Sequence, residues 1–457
     1  MATGLARPIA RSLKGRMYGT AASAKPSFQG DDKEPRCYVK KLDNGIAVGT
    51  IESRSPVSRI AIVANAGSRY ESSQNLGVTH VLRHITKLRT QNLSSLGITR
   101  SSTQLGSDIT CQGTREYVFY KSAVTRNVVG KMVELLGEIT TKHHITPWEF
   151  EELQSDPNGL KLDLALLKTQ PIIRATEALH AAAFRTTLGR SLYAPEFAVG
   201  KFTPDQVTNY VKTFFTSGRL ALVGVGIDQQ ELEALGQELT PYKAVSVPQE
   251  KAAYQGGEIR ENSGGELSYV LFSYGGPSQT RKELLPSEVL KHILGSGPHI
   301  KYSLGTATSA LGKAVQQATD SPFAVTGFST SYSDAGLFGF SAVAPNSHID
   351  KVVRAAAKQF KTVLSGGISE ADVSRAKNQL KAEMCMLFEN PDNLLSWLGE
   401  QSLNSDQIIT PHEIYQLIDK VSTADVNDVA KKIAATKPSM SVTGNTNNVP
   451  YIDNIFS

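Results

Sequence analysis

Two histidines four residues apart, His80 and His84 in the stretch GVTHVLRHITKL (77–88), carry the clearest chemical signal in the 457-residue chain. On a helix that spacing stacks both imidazoles on one face, where a single divalent ion can take both. Hydrolysis at such a metal also needs a carboxylate beside the histidines, to accept a proton from the bound water. The position between them is held by Arg83, which does not deprotonate. Val78, Val81, Leu82, Ile85 and Leu88 recur at helical spacing and predict the buried stripe that fixes this helix in a core. The pattern is that of a metal-site helix without its working base.

Elements predicted on either side could position such a helix. CYVKKLDNGIAVGTI (37–51) reads as strand, turn and strand, with Asp43-Asn44-Gly45 supplying the positive φ of a tight hairpin. Val57 to Ala64 is rich in β-branched and apolar residues and ends at AGSRYE (66–71). Asp108 to Val124 is strand-like, with Thr114-Arg115-Glu116 turning the chain between two strands. Helical periodicity covers Val128 to Ile139, Pro147 to Leu167 with a break at Pro157 and Gly159, and Ile172 to Phe184. Thr203 before Pro204-Asp205-Gln206 predicts a helix start, and Leu220 to Val225 a short buried strand.

The order then repeats. VLRHI (81–85) returns as VLKHI (289–293), YVFYKSAV (117–124) as LFGFSAVA (337–344), and the 202–224 pattern at 421–444. Such long offsets exclude a solenoid and predict two tandem copies of one α+β domain. The expected boundaries are 36–228 and 256–457, with a polar linker at 229–255. In the second copy the helix reads Glu288, Val289, Leu290, Lys291, His292, with no histidine pair. A lone histidine there is expected to pack or hydrogen-bond against the sheet.

Composition narrows the function. The net charge of +5 is already reached by Arg7, Arg11, Lys14, Arg16 and Lys25, so the remainder is neutral and carries no nucleic-acid footprint. Residues 1–30 are acid-free and rich in Arg, Ser and Ala, the composition of a mitochondrial presequence. Leu5, Ile9 and Leu13 would form an apolar stripe, with removal expected after Tyr18 and low order to about residue 35. Apolar runs are far short of the ~20 residues of a bilayer span. Cys37, Cys111 and Cys385 lack disulfide or zinc-ribbon spacing.

Taken together, AGSRYE, GxxHxxRH, TRE and LHAAAF (179–184) resemble the pitrilysin and mitochondrial processing peptidase family. Its zinc motif is an inverted His-x-x-Glu-His with a distal Glu ligand. The resemblance covers nearly all of the chain after the presequence. It implies the two-domain fold, mixed sheets packed with helices, and places His80 and His84 at the zinc histidines, Arg83 at the general base and Asp163 near the third ligand. Asp163 is a methylene short and offset, so a misplaced ligand is expected. The resemblance implies no catalytic residue, no bound metal and no cofactor.

GGEIRE (256–261), GPHIKYSLGTATSALGKAV (297–315), SYSDAGLFGF (331–340) and PYIDNIF (450–456) are similar to the inactive branch that serves as core subunits of respiratory complex III, ubiquinol–cytochrome c reductase. That likeness implies a peripheral protein on the matrix side of the mitochondrial inner membrane. Its partners would be the other core subunit, cytochrome b, cytochrome c1 and the Rieske subunit of a dimeric complex. The alternative is the substrate-binding, non-catalytic subunit of a mitochondrial processing peptidase.

Overall fold

The computed structural model describes residues 37–455, apart from 248, 280, 298–304, 306, 367 and 406–407. The presequence expected at 1–18, and residues 298–304 and 306 of the GPHIK segment, lie outside the described residues.

The first half runs β1 (Cys37–Lys41), β2 (Ala47–Ile51), β3 (Val57–Ala64), α1 (Val78–His84), α2 (Ser95–Gln104), β4 (Ile109–Gly113) and β5 (Val118–Thr125). It continues through α3 (Val129–Thr141), α4 (Pro147–Ser155), α5 (Leu160–Lys168), α6 (Pro171–Phe184), α7 (Pro204–Phe214), β6 (Leu220–Val225) and α8 (Gln229–Glu238). The second half comprises β7 (Gly257–Asn262), β8 (Leu267–Gly276), α9 (Arg281–Leu294), α10 (Ala310–Ala318), β9 (Ala324–Ser331) and β10 (Gly336–Pro345). After these come α11 (Ile349–Leu364), α12 (Glu370–Glu389), α13 (Pro391–Asn404), α14 (Pro411–Lys420), α15 (Thr423–Ala434) and β11 (Ser439–Gly444).

The repeat read in the sequence is a repeat of topology. One sheet has the order β1-β2-β6-β3-β5-β4, the other β7-β11-β8-β10-β9. Apart from β1 the orders match, including the single parallel pair in each, β2 with β6 and β7 with β11. Local signals recur too. Thr203 and Gln206 form a capping box at α7, as Ser422 and Asp425 do at α15, each satisfying two otherwise orphaned backbone donors.

Each sheet has one face on helices of its own half. The other face is covered from across the molecule. Leu395 and Leu398 of α13 pack on Ala61, Val63, Phe119 and Val223 of the first sheet. In return Ala175, Leu179 and Ala183 of α6 pack with Leu271 and Leu337 of the second. The Ser441 hydroxyl donates to the Ala175 carbonyl at 2.7 Å. Approach is close because α13 presents glycine: a Cβ at Gly399 would lie 2.7 Å from a Val63 methyl.

The expected linker is therefore corrected. Gln229–Glu238 is a helix, N-capped by the Asp228 side chain, and buries Leu232 and Gly236 against the first half. Its polar composition is that of a helix with one narrow buried edge. The connector proper starts at about Leu239 and ends where Tyr254 reaches the Lys437 carbonyl (2.8 Å) and Ser439 Oγ (2.7 Å).

Candidate functional site

The helix bearing the histidine pair is held at both ends by the motifs around it. Gly77, at φ 86°, turns the chain into α1. A Cβ there would meet Ala194 Cα at 2.4 Å, so glycine is required on steric as well as conformational grounds. Glu71 supplies the cap: its carboxylate accepts from Gly77 N (2.7 Å), Thr79 N (3.0 Å) and Thr79 Oγ1 (2.6 Å). Burial nonetheless pushes Glu71 up to about 6. Val78, Val81, Leu82 and Ile85 form the buried stripe that the periodicity predicts.

α5 and the irregular segment before Pro195 complete the site. Asp163 Oδ2 lies 3.0 Å from His80 Nε2 and 2.9 Å from His84 Nε2. The expectation of a misplaced third ligand is overturned. The break after Pro157 lets α5 begin afresh at Leu160, close enough for an aspartate to reach both rings. Burial would raise Asp163, but hydrogen bonds from the two histidines outweigh it and its pKa is lowered.

The three groups can be drawn around one ion, since their ligand atoms lie within 4.8 Å of one another. The proton pattern does not suit one. Ala194 N donates to His80 Nδ1 at 3.1 Å. That nitrogen must be the acceptor, so the ring carries its proton on Nε2, pointing at Asp163. A metal-bound imidazole normally presents its lone pair to the ion and donates from the other nitrogen to a carboxylate or carbonyl. Here the other nitrogen faces a donor. Burial, then the Arg83 charge, depress His80 to about 4, so the ring is neutral at pH 7.

Arg83 turns away from the pair. Its Nη2 donates to the Leu192 carbonyl at 2.7 Å, and its guanidinium lies 5.5 Å from the Tyr193 ring centroid. The Tyr193 ring meets His80 edge-on. Arg83 thus fastens the 192–194 segment over α1, a role its sequence position did not signal.

Sequence reading also missed what AGSRYE and TRE do. Arg69 Nη1 lies 2.6 Å from Glu116 Oε1, and both side chains are buried. Arg69 also pairs with Asp334, and Ser333 N donates to Glu116 Oε2 at 3.1 Å. Arg115 pairs with Glu177 at 2.9 Å and donates from Nε to the Leu188 carbonyl at 3.0 Å. His180 of LHAAAF meets Tyr332 Oη at 2.8 Å. Far from forming only a turn, these motifs join the two halves. No local pattern signals this, because the partners lie in the other half of the chain.

Comparison with known proteins finds the description "Insulinase (Peptidase family M16)" matched at residues 48–196 and "Peptidase M16 inactive domain" at 201–380. The chain is 37% identical to the human cytochrome b-c1 complex subunit 2, mitochondrial, over 96% of both chains. The chain belongs to the M16 peptidase family. The mouse cytochrome b-c1 complex subunit 2 is 36% identical over 91% of both. A probable mitochondrial-processing peptidase subunit alpha-1 of Arabidopsis thaliana is 26% identical over 93% of this chain and 86% of its own. M16 membership accounts for the twofold fold and for the histidine helix. The second match opens at residue 201, although α7 packs into the core of the first half and β6 belongs to the first sheet.

Proposed function

We infer that the chain is a non-catalytic structural core subunit of mitochondrial complex III, ubiquinol–cytochrome c reductase. One observation carries this: 37% identity, running the full length, to a cytochrome b-c1 complex subunit 2. In this reading the clamshell of a peptidase serves as scaffold, and its histidine helix is structural. The tautomer of His80 and the anchoring of Arg83 support a site without metal. Arg83, standing where the family has its base, cannot take a proton from water.

The partners on this reading are the other core subunit, cytochrome b, cytochrome c1 and the Rieske subunit, within a dimeric complex. No helix among the described residues is long and apolar enough to cross a membrane. Attachment on the matrix face of the inner membrane would therefore run through protein contacts. The processing-peptidase alternative has the lower identity, 26%. Native electrophoresis of mitochondrial membranes in mild detergent separates the two. Comigration with cytochrome haem is the expected result. Recovery only with a zinc peptidase partner, free of haem, would replace this reading with the alternative.

A further inference from the structure

Besides packing on the first sheet, α13 has a second face that opens into space. Trp397, Glu400, Gln401 and Asn404 follow the i, i+3, i+4, i+7 rule and line a cavity of about 690 Å³. Leu284 and Glu288 of α9 and Ser331 at the end of β9 form other parts of its wall.

Most polar groups of this cavity are already engaged. Asn404 Nδ2 donates to Tyr117 Oη at 2.7 Å, and Gln401 Oε1 accepts from Ile409 N at 2.9 Å. Glu288 is matched by Lys291 at 2.9 Å. Two groups are not engaged. The Glu400 carboxyl has no hydrogen bond or ion pair with any described residue, and the buried Ser331 hydroxyl has no partner. No Lys, Arg or His is among the described lining residues.

An unpartnered carboxylate in such a place is costly, and an orphaned hydroxyl adds to the cost. We propose that the cavity binds an organic cation of the guanidinium or primary ammonium type, its charge against Glu400 and its alkyl stem along Trp397 and Leu284. A guanidinium suits best, because its planar fork of N–H groups matches both oxygens of one carboxylate. An indole wall also favours a cation over a neutral group of equal size. The source would be either a free small amine or the basic side chain of a peptide, and the chemistry is the same for both.

Burial first, and the buried Glu116 charge next, push Glu400 up to about 7, with Lys121 acting the other way. The other charges by the cavity are matched: Glu288 by Lys291, Glu116 by Arg69. Cation binding requires the ionised carboxyl, so affinity should rise with pH through neutrality.

The test is titration calorimetry on the full mature chain at pH 6 and pH 8. The probes are agmatine, the blocked tripeptide Ac-Ala-Arg-Ala-NH2 and its uncharged citrulline counterpart. Expected is saturable binding of one or both cationic probes, about tenfold tighter at pH 8, as ionisation near 7 dictates. Binding of agmatine alone identifies a free amine as the source, and binding of the arginine peptide a side chain. Glu400→Gln, which is isosteric and relieves repulsion with Glu116, should melt no lower than the parent. It should lose the pH dependence and at least about tenfold of the pH 8 affinity, the loss expected when a charge pair becomes a neutral contact. Equal binding of the citrulline peptide would overturn the proposal. So would unchanged affinity and pH dependence in Glu400→Gln, or no binding of either cationic probe.

Discussion

The two halves place an equivalent turn of helix at the same point of the same fold and fill it differently. In the first, His80 and His84 of α1 share one oxygen of Asp163 from α5. In the second, the residues at the same spacing are Glu288, Lys291 and His292 of α9, and the acid, Glu383, comes from α12. Lys291 lies 2.9 Å from Glu288 and 3.5 Å from Glu383, and His292 2.6 Å from Glu383. That last contact is close but poorly aimed, since neither atom meets hydrogen-bond geometry. Where a family active site would bring a divalent cation, the second half carries a tethered ammonium, and the first sets two imidazoles against one carboxylate. Both fasten an acid-bearing helix to the central helix. On the reading of a site without metal, the geometry outlives the ion because the polar atoms it gathered find each other.

The comparison can be broken most forcefully where the halves are alike. Leu398→Ala on α13 and Leu179→Ala on α6 remove buried leucines from equivalent crossing contacts. Each should cost about 2–5 kcal/mol, and each should lower a single cooperative urea transition of the purified chain. Two separate transitions, with only one shifted by each variant, would show that the halves are independent after all.

A smaller effect sharpens the difference at the two turns. Asp163→Ala leaves fully buried His80 without its acceptor, at a cost of about 1–3 kcal/mol. Glu383→Ala should cost no more than about 1 kcal/mol, because that carboxylate is half exposed and Lys291 keeps Glu288. Denaturant midpoints of the two variants measured side by side decide it. A reversed order would mean that the second cluster is the stronger clamp.

Acid should release the clamps in sequence. His80 is held near 4 in the fold, below the ordinary 6.5 of histidine. The unfolded chain therefore takes up a proton first, and stability is lost as pH falls from 6.5 towards 4. Glu383 is drawn down to about 2, chiefly by His292. Its contribution is complete above the ordinary 4.5 and fades as pH falls from there towards 2. Hydrogen exchange followed by mass spectrometry should show α5 losing protection at a higher pH than α12.

The smallest effect expected is on metal content. Wild-type protein should hold no stoichiometric zinc, and Arg83→Glu should add little, since Ala194 N–H still faces His80 Nδ1. The variant also gives up the Leu192 anchor. Elemental analysis after purification without chelator measures both. One tightly bound zinc in the wild type, with chelator-sensitive cleavage of a presequence peptide, would return the chain to the active peptidases.

The sequence made the repeat legible because strands and caps are local: the DNG hairpin, the Thr203 cap and the Leu220–Val225 strand all occur where their residues predict. It made the histidine pair and Asp163 legible, but not their hydrogen bonds. A tautomer is set by whatever backbone lies behind the ring, and Ala194 is 114 residues from His80. The hub of Arg69, Glu116 and Asp334 was illegible for the same reason: its partners are brought together only when the halves meet. His292 too has a neighbour that was illegible. Its partner is a carboxylate on α12, and no local pattern announces a helix–helix contact at that separation.

The crossing of α13 has a consequence for how the chain is made. The first sheet is finished in sequence once β6 ends at Val225, yet the face bearing Val63, Phe119 and Val223 stays bare until Pro391–Asn404 has been delivered. A chain made or imported from its N-terminus must keep that greasy surface from sticking while the residues between enter. Such late, long-range closure makes for slow folding and leaves an aggregation-prone intermediate. The molecule is thus born with an obligatory waiting period, and chain truncated before residue 391 should depend on holding chaperones rather than settle as a stable half.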